Sequence, residues 1–349
     1  MGSPFFTVLV DTYNHEAFIQ DAIESILNQD FPIRDIEVLV VDDGSADRTA
    51  EIVRTFEPRV KLLRKANGGQ ASAFNLGIPE ARGEVIAFLD GDDWWERDKL
   101  SRVANAFADH PSLGLVGHGI VEVSLDGRHS VYLDREERFC CTSREGAKLF
   151  RTRKNFLGTS RMAIRRKLAN KIVPVPECLT FEADEYLFTM ACILSEAMVL
   201  AQALTFYRLH DGNLFQVGNG DLFRVRGKLA VLGCLFRSLA TELGRVGVNS
   251  DIVDLILAPI ETEASQIRLA LENRPPWETL STEWRLLRIH HEDASFWQRA
   301  YTAVRLFPAV MMSSKTYYRC RRQIVENRLY RALRHKILPF PGATPSLER

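Results

Sequence analysis

Three short runs of this 349-residue chain concentrate groups able to do chemistry: Asp11-Thr12-Tyr13-Asn14, Asp42-Asp43-Gly44-Ser45 and Asp90-Gly91-Asp92-Asp93. The last holds three carboxylates, which repel one another unless a cation or solvent sits among them. Hard divalent ions such as Mg²⁺ or Mn²⁺ take one or two carboxylates together with phosphate oxygens, and Asp90 and Asp92 have the D-x-D spacing that offers such a pair. Alone, a D-x-D is equally a solvated acidic turn or a cap for the helix ahead, so it gains meaning only from context. Tyr13 is an aromatic on which a base can stack, or a core ring. Asp43 is a carboxylate that can accept hydrogen bonds from a base or ribose, or a helix cap.

The context comes from the elements that must position these runs. Residues 5–10, 37–41, 60–63 and 84–89 are short apolar runs that read as buried strands, and helical periodicity over 16–27, 47–56 and 70–79 separates them. That alternation is the mark of parallel βαβ units. Ligands of such sheets bind beyond the carboxyl ends of the strands, where helix N-termini favour anions. All three acidic runs fall there. No G-x-G-x-x-G follows the first strand, which weakens a dinucleotide reading. Taken together the three runs describe a nucleotide-diphosphate and metal site.

Beyond residue 98 the order becomes mixed. Residues 98–108 read as helix, 113–123 and 130–133 as a hairpin about Asp126-Gly127, 183–194 as helix and 204–209 as a last strand. From about residue 221 strand signals vanish and helical patterns take over, broken near Gly247, Arg274-Pro275-Pro276 and Pro308. The expected architecture is a Rossmann-like mixed α/β sheet flanked by helices over 1–220, followed by an all-helical extension over 221–349.

The chain carries 45 basic and 45 acidic residues and is 46% hydrophobic, an ordinary globular composition without bias toward nucleic acid. Its six cysteines show no C-x-x-C pair and no zinc spacing, so they read as reduced, mostly buried thiols. No signal-peptide pattern opens the sequence and no apolar run reaches the roughly 18 residues of a spanning helix. The expectation is a cytoplasmic protein. Residues 299–336 contain ten Lys or Arg against the single acid Glu326, interleaved with aromatic and aliphatic side chains. Such a helix suits an anionic membrane surface, a homodimer interface or docking on the catalytic domain.

The stretches VLVDTYNHEAFIQDAIESIL, VLVVDDGSADRT, NGGQASAFNLGIPEARGEVIAFLDGDDWW, SRMAIRRKL, FEADEYLF and YRLHDGN, in this order, resemble the family 2 glycosyltransferases of GT-A fold. The resemblance implies an inverting transferase that moves one sugar from a nucleotide-diphosphate sugar, UDP-sugar first, to a hydroxyl of a glycan, lipid-linked or protein-linked acceptor. Surface polysaccharide or glycoconjugate biosynthesis is the implied setting, Mg²⁺ or Mn²⁺ the implied cofactor. It further implies Asp184 as general base; Asp11, Thr12, Tyr13, Asp43, Asn75, Arg82, Asp90, Gly91 and Asp92 at the nucleotide-sugar; Asp90, Asp92 and His210 around the metal; and Trp94, Trp95, Thr159 and Ser160 toward the acceptor. Asp11, Phe74 and Ala183 stand where the family usually has proline, arginine and glutamate. The Q-x-x-R-W motif of processive synthases is missing, so one sugar per encounter is expected. The alternatives are a sugar-nucleotide nucleotidyltransferase, whose glycine-rich loop DTYNHEAF does not match, and a non-catalytic glycan-binding relative, against which Asp92 and Asp184 speak.

Overall fold

The computed structural model describes residues 3–124, 127, 129–133, 135–210, 222–290 and 307–326. Asp126, much of the basic run over 299–336 and the tail after Pro339 lie outside the described residues. Those described divide into two compact units, one over 3–210 and one over 222–326.

The first unit opens with β1 (Phe6–Thr12), α1 (Ile19–Leu27), β2 (Ile36–Asp42), α2 (Thr49–Arg54), β3 (Val60–Arg64), α3 (Gln70–Glu80) and β4 (Val85–Asp90). The four strands are parallel in the order β3-β2-β1-β4. Strands buried on both faces need apolar side chains at every position, which is why β1, β2 and β4 read as near-continuous apolar runs. One face sets Val8, Val10, Val38, Val40, Ala87 and Leu89 against Ile19, Ile23 and Ile26 of α1. On the other, Phe74 of α3 meets Phe88 edge-on at 5.3 Å. Each fully buried large side chain contributes about 1.5–3 kcal/mol. Gly77 lets α3 approach this closely, since a Cβ there would lie 2.2 Å from Leu9 Cδ1.

Register then does the positioning. Asp11 stands opposite Asp90 and Thr12 opposite Asp42, so the three polar runs end side by side.

The chain continues through β5 (Trp94–Trp95), α4 (Lys99–Asp109), β6 (Leu113–Ser124), β7 (His129–Tyr132), β8 (Glu137–Phe139), α5 (Arg144–Arg153), β9 (Ala163–Arg165), α6 (Arg166–Ile172), α7 (Ala183–Leu194) and β10 (Glu196–Leu209). The full path is β3-β2-β1-β4-β9-β6-β10-β5, with β7 on β6 and β8 on β10. Short β9 runs antiparallel to both β4 and β6 and welds the parallel half to the mixed half. Strand β10 starts eight residues before the expected 204, because register shifts against β6 at three points between Glu196 and Thr205 interrupt its alternation.

The second unit is helical: α8 (Leu222–Arg245), α9 (Ser250–Leu271), α10 (Pro276–His290), α11 (Phe307–Met311) and α12 (Ser314–Glu326). The expected break at Gly247 is real, with φ 75, and Asn249 caps α9 by accepting from the Asp251 amide at 2.9 Å. Helix α9 packs against α8, α10 and α12. Among the described residues no helix is long and apolar enough to cross a membrane. Cys140, Cys141, Cys192 and Cys320 are free thiols.

Candidate active site

At the carboxyl edge of β1 and β4, Asp11 and Asp90 face the same side of the sheet. A third carboxylate, Asp184, reaches them from the first turn of α7. The chain enters that turn through Glu182, a buried residue in the left-handed region at φ 60, and strained backbone of this kind persists where the surroundings fix it. Asp184 Oδ2 accepts from the Thr159 amide and hydroxyl, both at 3.2 Å, and Oδ1 accepts from the Glu185 amide at 2.8 Å. The next residue of the same 3-10 turn, Ser160, accepts from the Asp90 amide at 3.0 Å and donates to Asp90 Oδ2 at 3.1 Å. One turn thus holds both acids.

Crowding of carboxylates away from water sets their protonation. Burial, with the charges of Asp92, Asp184 and Asp43, pushes Asp11 up to about 8 against its own backbone hydrogen bond. Burial and then the Asp92 charge push Asp93 up to about 8 as well. Asp90 is held well above the ordinary carboxylate range by burial and by Asp11, Asp93, Asp92 and Asp184. Burial and the Glu185 charge raise Asp184. Asp92 is the exception: burial would raise it, but the His210 hydrogen bond and the charges of His15 and His210 bring it below its usual value.

Asp92 Oδ2 lies 2.9 Å from His210 Nε2 and 3.8 Å from His15 Nε2. His15 Nδ1 sits 3.2 Å from Thr12 Oγ1, which fixes the ring with Nε2 toward Asp92. Gly91 makes room for this pair, because a Cβ would fall 2.5 Å from Thr12 Oγ1 and 2.8 Å from His15 Nδ1. The carboxylate suits Mn²⁺ or Mg²⁺, and an imidazole nitrogen beside it favours Mn²⁺ of the two. Asp11 Oδ1 and Asp93 Oδ2 are buried and find no hydrogen-bond partner among the described residues, a deficit that a cation among them would relieve. No three such side chains are already drawn into a metal-holding group among the described residues. The chemistry of the donors fits a divalent ion; their final arrangement awaits it.

His15 was not singled out by the sequence reading, although it lies four residues past Asp11 in the same motif. Arg208 was also missed. It donates to Asp92 O at 2.9 Å, to Asp93 Oδ1 from its amide at 3.0 Å and to Asp21 at 2.8 Å, with its guanidinium over the rings of Trp94 and Phe18. It clamps the acidic turn from β10.

The nucleotide side is mixed. Tyr13 is 45% exposed at the end of β1, open to a stacking partner. Asp43 lies beside it, but its oxygens already accept from the Gly68 amide at 3.0 Å, the Gly69 amide at 2.7 Å and Lys65 Nζ at 2.7 Å. Two expected residues do not join the site. Arg82 follows α3 back to the opposite, amino edge of the sheet, where it pairs with Glu37 at 2.6 Å. Asn75 spends both side-chain ends on the Val175 backbone, at 2.8 and 2.7 Å.

Toward the expected acceptor side, Trp94 is half-buried and stacks on Phe206 at 5.1 Å. Trp95 is only 3% exposed and donates from Nε1 to Ser160 O at 3.2 Å, so it is core. Thr159 and Ser160 are buried as well and hold the acids rather than line an acceptor surface.

Residues 7–173 match the family model described as glycosyl transferase family 2. An uncharacterized glycosyltransferase of Nostoc sp. is 31% identical over 59% of this chain and 65% of its own length. Residues 7–173 belong to glycosyltransferase family 2. The family span covers Asp11 through Ser160, while Asp184 and His210 lie beyond it. The poly(ribitol-phosphate) beta-N-acetylglucosaminyltransferase TarS of Staphylococcus aureus is 36% identical over 31% of this chain but only 19% of its own length. The chain therefore spans between 19% and 65% of these two family members. Two solved structures share the GT-A fold: S. aureus TarS 1-349 with UDP-GlcNAc, at TM-score 0.52 and 21% identity over 90% of this chain and 91% of that one, and the mannosyltransferase PcManGT from Pyrobaculum calidifontis with GDP-Man and Mn²⁺, at TM-score 0.51 and 20% identity over 97% and 88%.

Proposed function

We propose that this family 2 enzyme transfers one sugar, with inversion, from a UDP-sugar to a hydroxyl of a glycan, lipid-linked or protein-linked acceptor in surface polysaccharide or glycoconjugate biosynthesis. The observation that carries the reading is the pairing of Asp184 and Asp90 by one turn, with Asp92 and His210 in contact on the adjoining loop. An acceptor hydroxyl is a poor nucleophile, and Asp184 Oδ2 takes its proton as the new bond forms. The raised pKa of Asp184 strengthens it as a base near neutrality. Asp92 and His210, with His15 alongside, would hold Mn²⁺ or Mg²⁺, and Asp90 would lie against the donor sugar. The cation, when bound, supplies charge that offsets the leaving diphosphate. Tyr13 stacks on the base, Thr12 and Gly91 shape the floor, and the exposed part of Trp94 offers an apolar face to the acceptor.

In this reading residues 1–220 are the catalytic domain and 221–349 an extension whose basic run brings the enzyme to the inner face of a membrane, or to a second subunit. UDP is favoured by the TarS likeness, and GDP is the alternative that PcManGT suggests. Thermal-shift titrations of UDP and GDP, each with and without Mn²⁺, test the donor class. Metal-dependent stabilisation by UDP is expected, and no shift with either nucleotide defeats the proposal. Asp184→Asn should keep nucleotide affinity while transfer falls about 10²–10⁴-fold; unchanged turnover removes Asp184 from the role.

A further inference from the structure

Lysine is among the side chains least often found fully buried, because its ammonium loses hydration. Lys99, at the start of α4, is 0% exposed. Burial holds its pKa well below the usual lysine value, with the Asp93 charge opposing that shift. Its Nζ donates to Ser160 O at 2.8 Å and lies 3.5 Å from the centre of the Trp95 ring. The same carbonyl accepts from Trp95 Nε1 at 3.2 Å and from Thr205 Oγ1 at 2.6 Å. Three donors, from β5, α4 and β10, converge on one oxygen that has two lone pairs. Ser160 is also the residue whose hydroxyl grips Asp90, and its neighbour Thr159 grips Asp184.

We propose that Lys99 is a positioning residue: from beneath the site it anchors the Thr159–Ser160 turn and through that turn aims the Asp184 and Asp90 carboxylates. A structural lysine would serve the α4–sheet contact alone, and any apolar side chain of like length would replace it there. A positioning lysine acts through Ser160 O, so the other two donors to that oxygen must share its effect. The inference rests on Asp184 and Asp90 having the roles proposed above.

The test compares the full-length protein with Lys99→Met, Trp95→Phe and Thr205→Val, each of which deletes one donor to Ser160 O and keeps most of the side-chain volume. UDP affinity is measured by calorimetry with Mn²⁺, and UDP release from UDP-GlcNAc, with water as acceptor, gives kcat and KM. Expected are a kcat lowered at least tenfold in Lys99→Met and at least threefold in the other two, with UDP Kd and KM within threefold of wild type. Crystals of Lys99→Met with UDP should show Thr159–Asp184 or Ser160–Asp90 lengthened beyond 3.5 Å. Both contacts intact in that crystal overturn the proposal whatever the turnover, as does a kcat loss in Lys99→Met that Thr205→Val and Trp95→Phe do not share. A wild-type protein that binds no nucleotide instead defeats the donor reading, while the crystallographic arm still judges Lys99 without UDP.

Discussion

Replacing Asp11 by asparagine should change how stability depends on pH, and by an amount the site fixes in advance. Asp11 moves from its ordinary 3.8 to about 8 in the folded protein. Between those values the native state keeps a proton that the unfolded chain releases, so the contribution to stability is complete at low pH and is lost as pH rises through about 8. One proton corresponds to about 1.4 kcal/mol per pH unit. From pH 5 to pH 7 the metal-free protein should therefore lose about 3 kcal/mol relative to Asp11→Asn. Taking the difference cancels the opposing contributions of His15 and His118, whose pKa values burial lowers. Urea unfolding in EDTA at several pH values measures both proteins. Adding Mn²⁺ and UDP should flatten the wild-type curve, since ionised carboxylates are then the favoured state. Parallel curves for the two proteins in EDTA, within about 1 kcal/mol over this range, would refute the picture of a crowded, partly protonated acid cluster.

Three further outcomes follow from particular contacts. Gly91→Ala should cost about 1–3 kcal/mol by forcing a Cβ against Thr12 and His15, and calorimetry should show weaker Mn²⁺-dependent UDP binding. Arg82→Ala should leave UDP affinity within twofold in the same titration, because its side chain serves Glu37 at the far edge; a larger loss would return it to the site. Trp94→Ala should lower stability by about 1 kcal/mol through the lost Phe206 stack, read by urea unfolding, with UDP affinity unchanged.

Much of the parallel half of the sheet was legible because buried parallel strands leave uninterrupted apolar runs whose last residues mark the carboxyl edge. The sequence could not show where a helix ends in space. Helix α3 has eleven residues and carries the chain about 16 Å back from that edge, which is why Arg82, close to the motif in sequence, lies far from it in the fold. Strands β5, β8 and β9 have two or three residues each and no period to read. Lys99 looked like any charged residue at the start of an amphipathic helix, and its partner stands 61 residues away. Trp95 and Thr159 drew attention by type and neighbourhood, and only packing reveals that they face inward.

The engagement of Asp43 bears on how selective such a pocket can be. Two carboxylate oxygens offer about four lone-pair sites, and Gly68, Gly69 and Lys65 already occupy three on Asp43, so a nucleobase read there, as the family resemblance implies, meets about one open site. Any further bond would be an exchange, and its net gain a small difference between similar quantities. Under that reading, discrimination among nucleotides falls mainly on contacts other than Asp43.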